Sequence, residues 1–258
     1  MSLEKKEDRF DQLIEEMGIR IKDADQFKVR EDVFDEVTLL ALYKLVHKKW
    51  LSLIGGSIST GKEANVFYGE RDGAAIAIKI YRIRTANFTT MSSYVTGDRR
   101  FSHVKKAKKD LIFAWTRKEF SNLVRAREAG IAVPEPIVWD RNILIMSFIG
   151  EGEIAYPQLR NVIMEDPAEI YETITNTIDI LYKKAELVHA DLSEFNILYG
   201  DQPYFIDMGQ SVTRDHPRAL QFLMRDIRNI NRYFKNRCDI RNDFELFNAV
   251  TGLNVAEP

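Results

Sequence analysis

The sequence predicts an α+β fold: a helical N-terminal extension, an antiparallel sheet, and a mainly helical remainder. Three observations carry this. Apolar residues recur at helical spacing before Trp50, the period changes to two over Leu51–Tyr81, and helical spacing returns at roughly 167–186 and 219–234. A length of 258 residues suits one large domain or two packed lobes.

In the extension, Phe10, Leu13, Ile14 and Met17 lie on one helical face, and Gly18 follows where a helix can end. Val33, Phe34, Val37, Leu40, Ala41 and Leu45 form a second such face. Strands are expected at Leu51–Ile58, Ala64–Tyr68 and Ala75–Tyr81, with Arg71-Asp72-Gly73 as a tight turn, so the three form a meander. Residues 84–110 are rich in Ser and Thr. They carry Arg84, Arg99, Arg100, Lys105, Lys106, Lys108 and Lys109 against only Asp98 and Asp110. A mobile basic loop is expected there, leading into a helix that ends at Gly130. Pro134-Glu135-Pro136 then precedes a strand pair, Ile137–Trp139 and Ile143–Phe148.

The composition is that of a globular protein with apolar material for a sizeable core: 45% hydrophobic, 29% charged, net charge −2. The single cysteine, Cys238, forms no internal disulfide, and with only four histidines it argues against a zinc site. The N-terminus, MSLEKKEDRFDQLIEE, is too charged for a signal peptide, and no apolar run reaches the ~18–20 residues of a bilayer span. A cytoplasmic location without membrane contact is expected.

Gly56–Lys62 (GSISTGK) falls one residue short of a P-loop. Glu63 stands where the magnesium-binding hydroxyl belongs, and the next residues alternate as a strand where a P-loop needs a helix. A strand–turn–strand lid fits better, with the backbone amides of Ser59, Thr60 and Gly61 closing over phosphate oxygens.

Ala77 and Lys79 share a strand face, which puts a small residue and an ammonium on one surface. On the following helix Glu119 borders the Phe120, Leu123 and Val124 face, where a carboxylate could hold Lys79 extended. The strongest stretch is LVHADLSEFNILYGDQPYFIDMG. His189-Ala190-Asp191 is followed five positions on by Asn196, and a hairpin turning at Gly200-Asp201-Gln202 returns to Asp207-Met208-Gly209. Asn196 and Asp207, at its open ends, offer an amide oxygen and a carboxylate to magnesium on nucleotide phosphates. Asp191 could accept a hydroxyl proton.

These residues resemble the protein-kinase signature of lid, strand lysine, helix glutamate, His-x-Asp-x-x-x-x-Asn loop and Asp-x-Gly. They depart from it as well. There is no Gly-x-Gly-x-x-Gly, Ala190 replaces the usual arginine, and Ser193 replaces the lysine two residues after the catalytic aspartate. Only 51 residues follow Asp207, with no Ala-Pro-Glu. With Ser59–Ala64 reading STGKEA, and with HADLSEFN and IDMGQSV, the chain is similar to the type-one branch of the RIO family of atypical kinases.

That resemblance implies a two-lobed protein-kinase-like fold: an N-terminal helical extension (1–49), an antiparallel-sheet N-lobe (50–149), and a reduced, mainly helical C-lobe (150–258). It implies ATP, with Mg²⁺ or Mn²⁺, as cofactors. Ser59, Thr60, Gly61, Lys62, Glu63 and Ala64 would form the phosphate lid, and Lys79, held by Glu119, would engage the α/β-phosphates. Val66 and Ala77 would pack on the adenine, with Met146 at the back of the pocket and the backbone of Ser147 and Ile149 at its edge. Asn196 and Asp207 would hold metal, and Asp191 would act as base. The implied activity is serine phosphorylation of proteins, this one included. The alternatives are an ATPase switch through an Asp207 acyl-phosphate and, less favoured, a small-molecule phosphotransferase. A maturing small ribosomal subunit is the implied partner, with the 84–110 segment contacting RNA phosphates.

Overall fold

The computed structural model describes residues 20–21, 34–83, 88–95, 97–101 and 107–256. The helical pattern expected around Phe10–Gly18 lies outside them. The described residues divide into two compact units, one within 1–88, 105–117 and 136–148, the other within 89–104, 118–135 and 149–258.

The first unit is a six-stranded sheet. Its strands are β1 (Arg20–Ile21), β2 (Leu53–Thr60), β3 (Ala64–Arg71), β4 (Ala74–Tyr81), β5 (Pro136–Asp140) and β6 (Ile143–Ser147), in the order β1-β2-β3-β4-β6-β5. All neighbours are antiparallel except β1, which runs parallel to β2. Alternation gives the sheet two distinct faces. Phe67, Ile76, Ile78, Ile80, Ile143 and Ile145 are buried together with Ala41, Leu42 and Leu45 of helix α1 (Glu36–His47). Asp35 caps that helix by accepting from the Thr38 N–H at 2.9 Å. The buried Asn142 amide ties it to the sheet, donating to Thr38 Oγ1 and Tyr81 O, each at 2.8 Å. Lys44 and Asp140 add an ion pair.

The second unit is mainly helical. The segment expected to be a loop carries helix α2 (Phe88–Val95) and a 3-10 turn at Arg99–Phe101, and the described residues among 89–104 group with this unit. The expectation missed them because Met91, Tyr94 and Val95, spaced for a helix, sit among Ser, Thr and basic residues; all three are buried. Helix α3 (Lys108–Glu128) closes at Gly130, which has φ +86. Strands β7 (Gly150–Glu151) and β8 (Ile154–Ala155) form a small hairpin.

Helix α4 (Pro167–Lys183) starts from Asp166, whose carboxylate accepts from two backbone N–H groups, and it has proline at its first position. Helix α5 (Ala219–Phe234) buries Phe222, Leu223, Ile227, Ile230 and Phe234 at helical spacing, roughly 1.5–3 kcal/mol each. Helix α6 (Asp243–Thr251) ends in a left-handed Gly252. Between α4 and α5 lie two strand pairs: β9 (Leu187–Val188) with β12 (Val212–Thr213), and the hairpin β10 (Ile197–Tyr199) with β11 (Pro203–Phe205). They fix the loops that carry Asp191, Asn196 and Asp207.

Candidate active site

The β10–β11 hairpin brings the open ends of its strands together, as its sequence implies. The Ile206 N–H donates to Asn196 O at 3.0 Å, which continues the ladder with Asn196 opposite Ile206 and sets Asp207 one residue beyond that rung. Asn196 Nδ2 then reaches Asp191, donating to its backbone oxygen at 2.8 Å and to its carboxylate Oδ2 at 3.2 Å. Gln210 Nε2 donates to the same Oδ2 at 2.8 Å. Asp191, Asn196 and Asp207 therefore form one constellation, and Gln210 joins it.

Its electrostatics follow from this crowding. Partial burial, and then the nearby Asp207 carboxylate, push Asp191 up to about 6, against the opposing pull of Arg225 and Asn196. Asp207 is exposed. With the Asn196 amide hydrogens turned to Asp191, its Oδ1 and the Asp207 carboxylate are hard-oxygen donors beside a repelling acid. No group of three or more His, Cys, Asp or Glu suited to a metal exists among the described residues. Two protein oxygens completed by phosphates and water are what magnesium takes in nucleotide sites, so the residues fit that ion.

Backbone strain marks both loops. Ala190 (φ +66) and Asp207 (φ +62) are non-glycine residues in the left-handed region, which persists only where surroundings over-determine it. For Ala190 the holder is the fully buried Asp226 of α5, whose carboxylate accepts from the N–H groups of Ala190 (2.7 Å) and Leu192 (3.0 Å). Burial outweighs those bonds and pushes Asp226 up to about 7. Arg225 donates to Ala190 O, and Asn229 donates to Leu192 O at 3.0 Å.

The segment after Asp207 is held from α3. The buried Lys118 donates to the carbonyls of Gly209 (2.8 Å) and Ser211, and the Asn122 amide donates to those of Met208 (2.8 Å) and Ser211 (2.9 Å). His189 donates from Nε2 to Ile206 O at 3.0 Å, just before Asp207. Sequence reasoning missed Asp226, Lys118, Asn122 and Gln210. Gln210 alone had a local signal, in IDMGQSV.

The remaining predicted residues divide between the units. In the first, strand register sets Val66 opposite Lys79, Ala77 opposite Met146, and Ser59 opposite Val66. Directly opposed residues share a face, so Val66, Ala77, Lys79 and Met146 line the side of the sheet away from α1. The Lys79 ammonium sits 5.2 Å from the Tyr81 ring centre. Ser147 closes β6. The lid turn is tight: the Gly61 N–H donates to Ala64 O and the Arg82 N–H to Glu63 O, both at 2.9 Å, while Arg82 also clasps Asn65 Oδ1. Gly61 thus uses its amide inside the turn, and Lys62 at the tip is exposed. In the second unit Glu119 is buried on α3, and Ile149 O accepts from the Tyr156 N–H at 3.1 Å.

A family model of the RIO domain matches residues 65–246. The chain belongs to the RIO family. It is 44% identical over 246 residues to the RIO-type serine/threonine-protein kinase Rio1 of Haloferax volcanii, covering 95% of this chain and 84% of the relative. The Methanocaldococcus jannaschii Rio1 is 38% identical, with 90% and 80% covered. The human serine/threonine-protein kinase RIO1 is 39% identical over 92% of this chain, which spans only 44% of that longer protein. Among solved structures, the Rio2 kinase–ADP/Mg²⁺–phosphoaspartate complex from Chaetomium thermophilum superposes with a TM-score of 0.65 at 25% identity, covering 84% of this chain and 66% of that one. This RIO chain lies on the Rio1 branch, has the kinase-like fold, and is a serine/threonine-protein kinase of the atypical class. No helix among the described residues is long and apolar enough to cross a membrane.

Proposed function

We propose that this RIO kinase transfers the γ-phosphate of ATP to protein serine, its own included, with Asp191 as the base. The observation that carries this is the Asp191 carboxylate itself. Both side-chain bonds to it, from Asn196 and Gln210, fall on Oδ2, leaving Oδ1 for an incoming hydroxyl. Its proton affinity, raised to about 6, suits a base working near neutral pH. Asn196 and Asp207 would hold Mg²⁺ or Mn²⁺, which supplies charge neutralisation for the phosphates. Lys79, positioned by Glu119, would grip the α/β-phosphates. The lid of Ser59, Thr60, Gly61, Lys62, Glu63 and Ala64 would cover them, Val66, Ala77 and Met146 would contact the adenine, and Ser147 and Ile149 would meet its edge. Lys62 would replace the charge lost at Ser193, so Lys62→Ala should slow transfer.

A second reading is favoured by the exposure of Asp207 and by the phosphoaspartate in the Rio2 complex. An Asp207 oxygen would attack the γ-phosphorus, ADP would leave, and water would hydrolyse the acyl-phosphate. The nucleotide state would then switch docking to a maturing small ribosomal subunit in the cytoplasm. The exposed Arg99, Lys108 and Lys109 would face RNA phosphates.

A time course with γ-labelled ATP and Mg²⁺ or Mn²⁺, following protein-bound label and free phosphate for wild type, Asp191→Ala and Asp207→Ala, tests both readings. Stable phosphoserine lost in both variants supports the kinase. Multiple-turnover phosphate release with trace hydroxylamine-sensitive label supports the switch. ATP binding with neither product removes both.

A further inference from the structure

A mobile basic loop was expected over residues 84–110, yet Met91, Tyr94, Val95, Asp98 and Phe101 are buried. Two polar arms leave this segment, and each ends on one of the strained loops.

The first arm starts at Tyr94. Its ring stacks on Phe222 of α5 with centroids 5.1 Å apart, and it interacts electrostatically with Arg225. The Arg225 guanidinium lies 5.0 Å above the same Phe222 ring and donates to the carbonyl of left-handed Ala190, next to Asp191. Tyr94 and Arg225 thus pack on the same Phe222 ring, so the tyrosine bears on the guanidinium that meets that carbonyl.

The second arm starts at Arg100. Its guanidinium forks onto the buried Asp98 carboxylate, with Nε at 3.0 Å from Oδ1 and Nη2 at 2.7 Å from Oδ2. The third nitrogen, Nη1, donates to Asn122 Oδ1 at 2.9 Å. That bond decides which way the Asn122 amide faces. With Oδ1 held by Arg100, both Nδ2 hydrogens point at the carbonyls of Met208 and Ser211. A flipped amide would set an oxygen against two carbonyl oxygens and leave the Asp207 segment without those donors.

We propose that residues 91–95 and 97–101 are a brace for catalysis: Tyr94, through Arg225, positions the Asp191 loop, and Arg100, through Asn122, positions the Asp207 segment. The brace rests on the roles given to Asp191 and Asp207 above. Tyr94 and Arg100 are positioning residues, because neither touches the reacting groups. Any event that lifts the segment, such as a partner binding to it, would lower turnover without touching nucleotide.

The test uses the whole chain with Tyr94→Phe, which keeps the stacked ring, and Arg100→Lys, which keeps the charge but loses the three-pronged fork. Turnover is counted per nucleotide-binding site, so that misfolded protein does not register. Each variant should lose about tenfold in kcat while KM for ATP stays within about threefold, the signature of misplaced catalytic groups. Arg100→Lys combined with Asn122→Ala should be no slower than Asn122→Ala alone, because the two act in series. Wild-type kcat in Tyr94→Phe and Arg100→Lys, or additive losses in the double variant, would overturn the brace. Asp191→Ala run alongside separates the two claims. If it stays active, the assignment of the base is wrong; if it is dead while both brace variants are normal, the brace alone is wrong.

Discussion

The Ala190 N–H donates to the Asp226 carboxylate at 2.7 Å, from a backbone at φ +66. Left-handed alanine costs roughly 1–2 kcal/mol, so this bond holds a conformation the residue would otherwise leave. Asp226→Ala would strip acceptors from two N–H groups, at about 1–3 kcal/mol for each left unmet. The urea midpoint should fall with little change in m, and Asp226→Asn, which keeps one acceptor oxygen, should fall less. An unchanged midpoint in Asp226→Ala would mean that other contacts set the loop.

Asp191 predicts a pH effect of definite sign. Its folded-state pKa, about 6, lies above the ordinary 3.8, so the folded state holds a proton that the unfolded state has lost between those values. The associated stability is complete below about pH 4 and disappears as pH rises through about 6. At pH 7 the folded protein bears a crowded, partly buried charge. Without metal or nucleotide, Asp191→Asn should therefore melt above wild type at pH 7, with the gap closing toward pH 4. A gap that is constant or widens on acidification would contradict this.

Gln210 sits 2.8 Å from Asp191 Oδ2, so Gln210→Glu would set a third carboxylate beside Asp191 and Asp207. Like charges at that distance oppose ionisation of the base. The kcat at pH 7 should drop about tenfold or more for Gln210→Glu, and less for Gln210→Ala, which removes the donor without adding charge. Equal rates for the two variants would exclude the charge effect.

Gly200, at the tip of the β10–β11 hairpin, leaves no room for a side chain, because a Cβ there would come within 2.2 Å of the Tyr156 ring. Gly200→Ala should cost about 1–3 kcal/mol through displacement of that ring. Thermal melting checks this, and a wild-type Tm would show that the tip yields.

Much of this was legible locally. Period two from Leu51 to Tyr81 exposed the meander, and the short spacing from Asn196 to Asp207, with a turn between, exposed their proximity. What stayed hidden acts over distance. Lys118 reaches carbonyls more than ninety residues away, and Asp226 reaches N–H groups more than thirty residues back. Side-chain bonds to distant backbone leave no periodicity and no spacing. Helix α2 was hidden for another reason, since the polar and basic residues around its buried positions read as a mobile basic loop.

The Lys118 amine, clamped between two carbonyls, has a proton affinity lowered by burial to about 7. A largely deprotonated amine at pH 8 is a ready nucleophile toward acylating reagents, yet no reagent reaches it while the Met208–Ser211 segment is seated. The rate at which Lys118 is acylated therefore measures how often that segment unlatches. Followed by peptide mass spectrometry with and without nucleotide, that one lysine reports the breathing of the Asp207 segment from inside the fold, with no probe added to the protein.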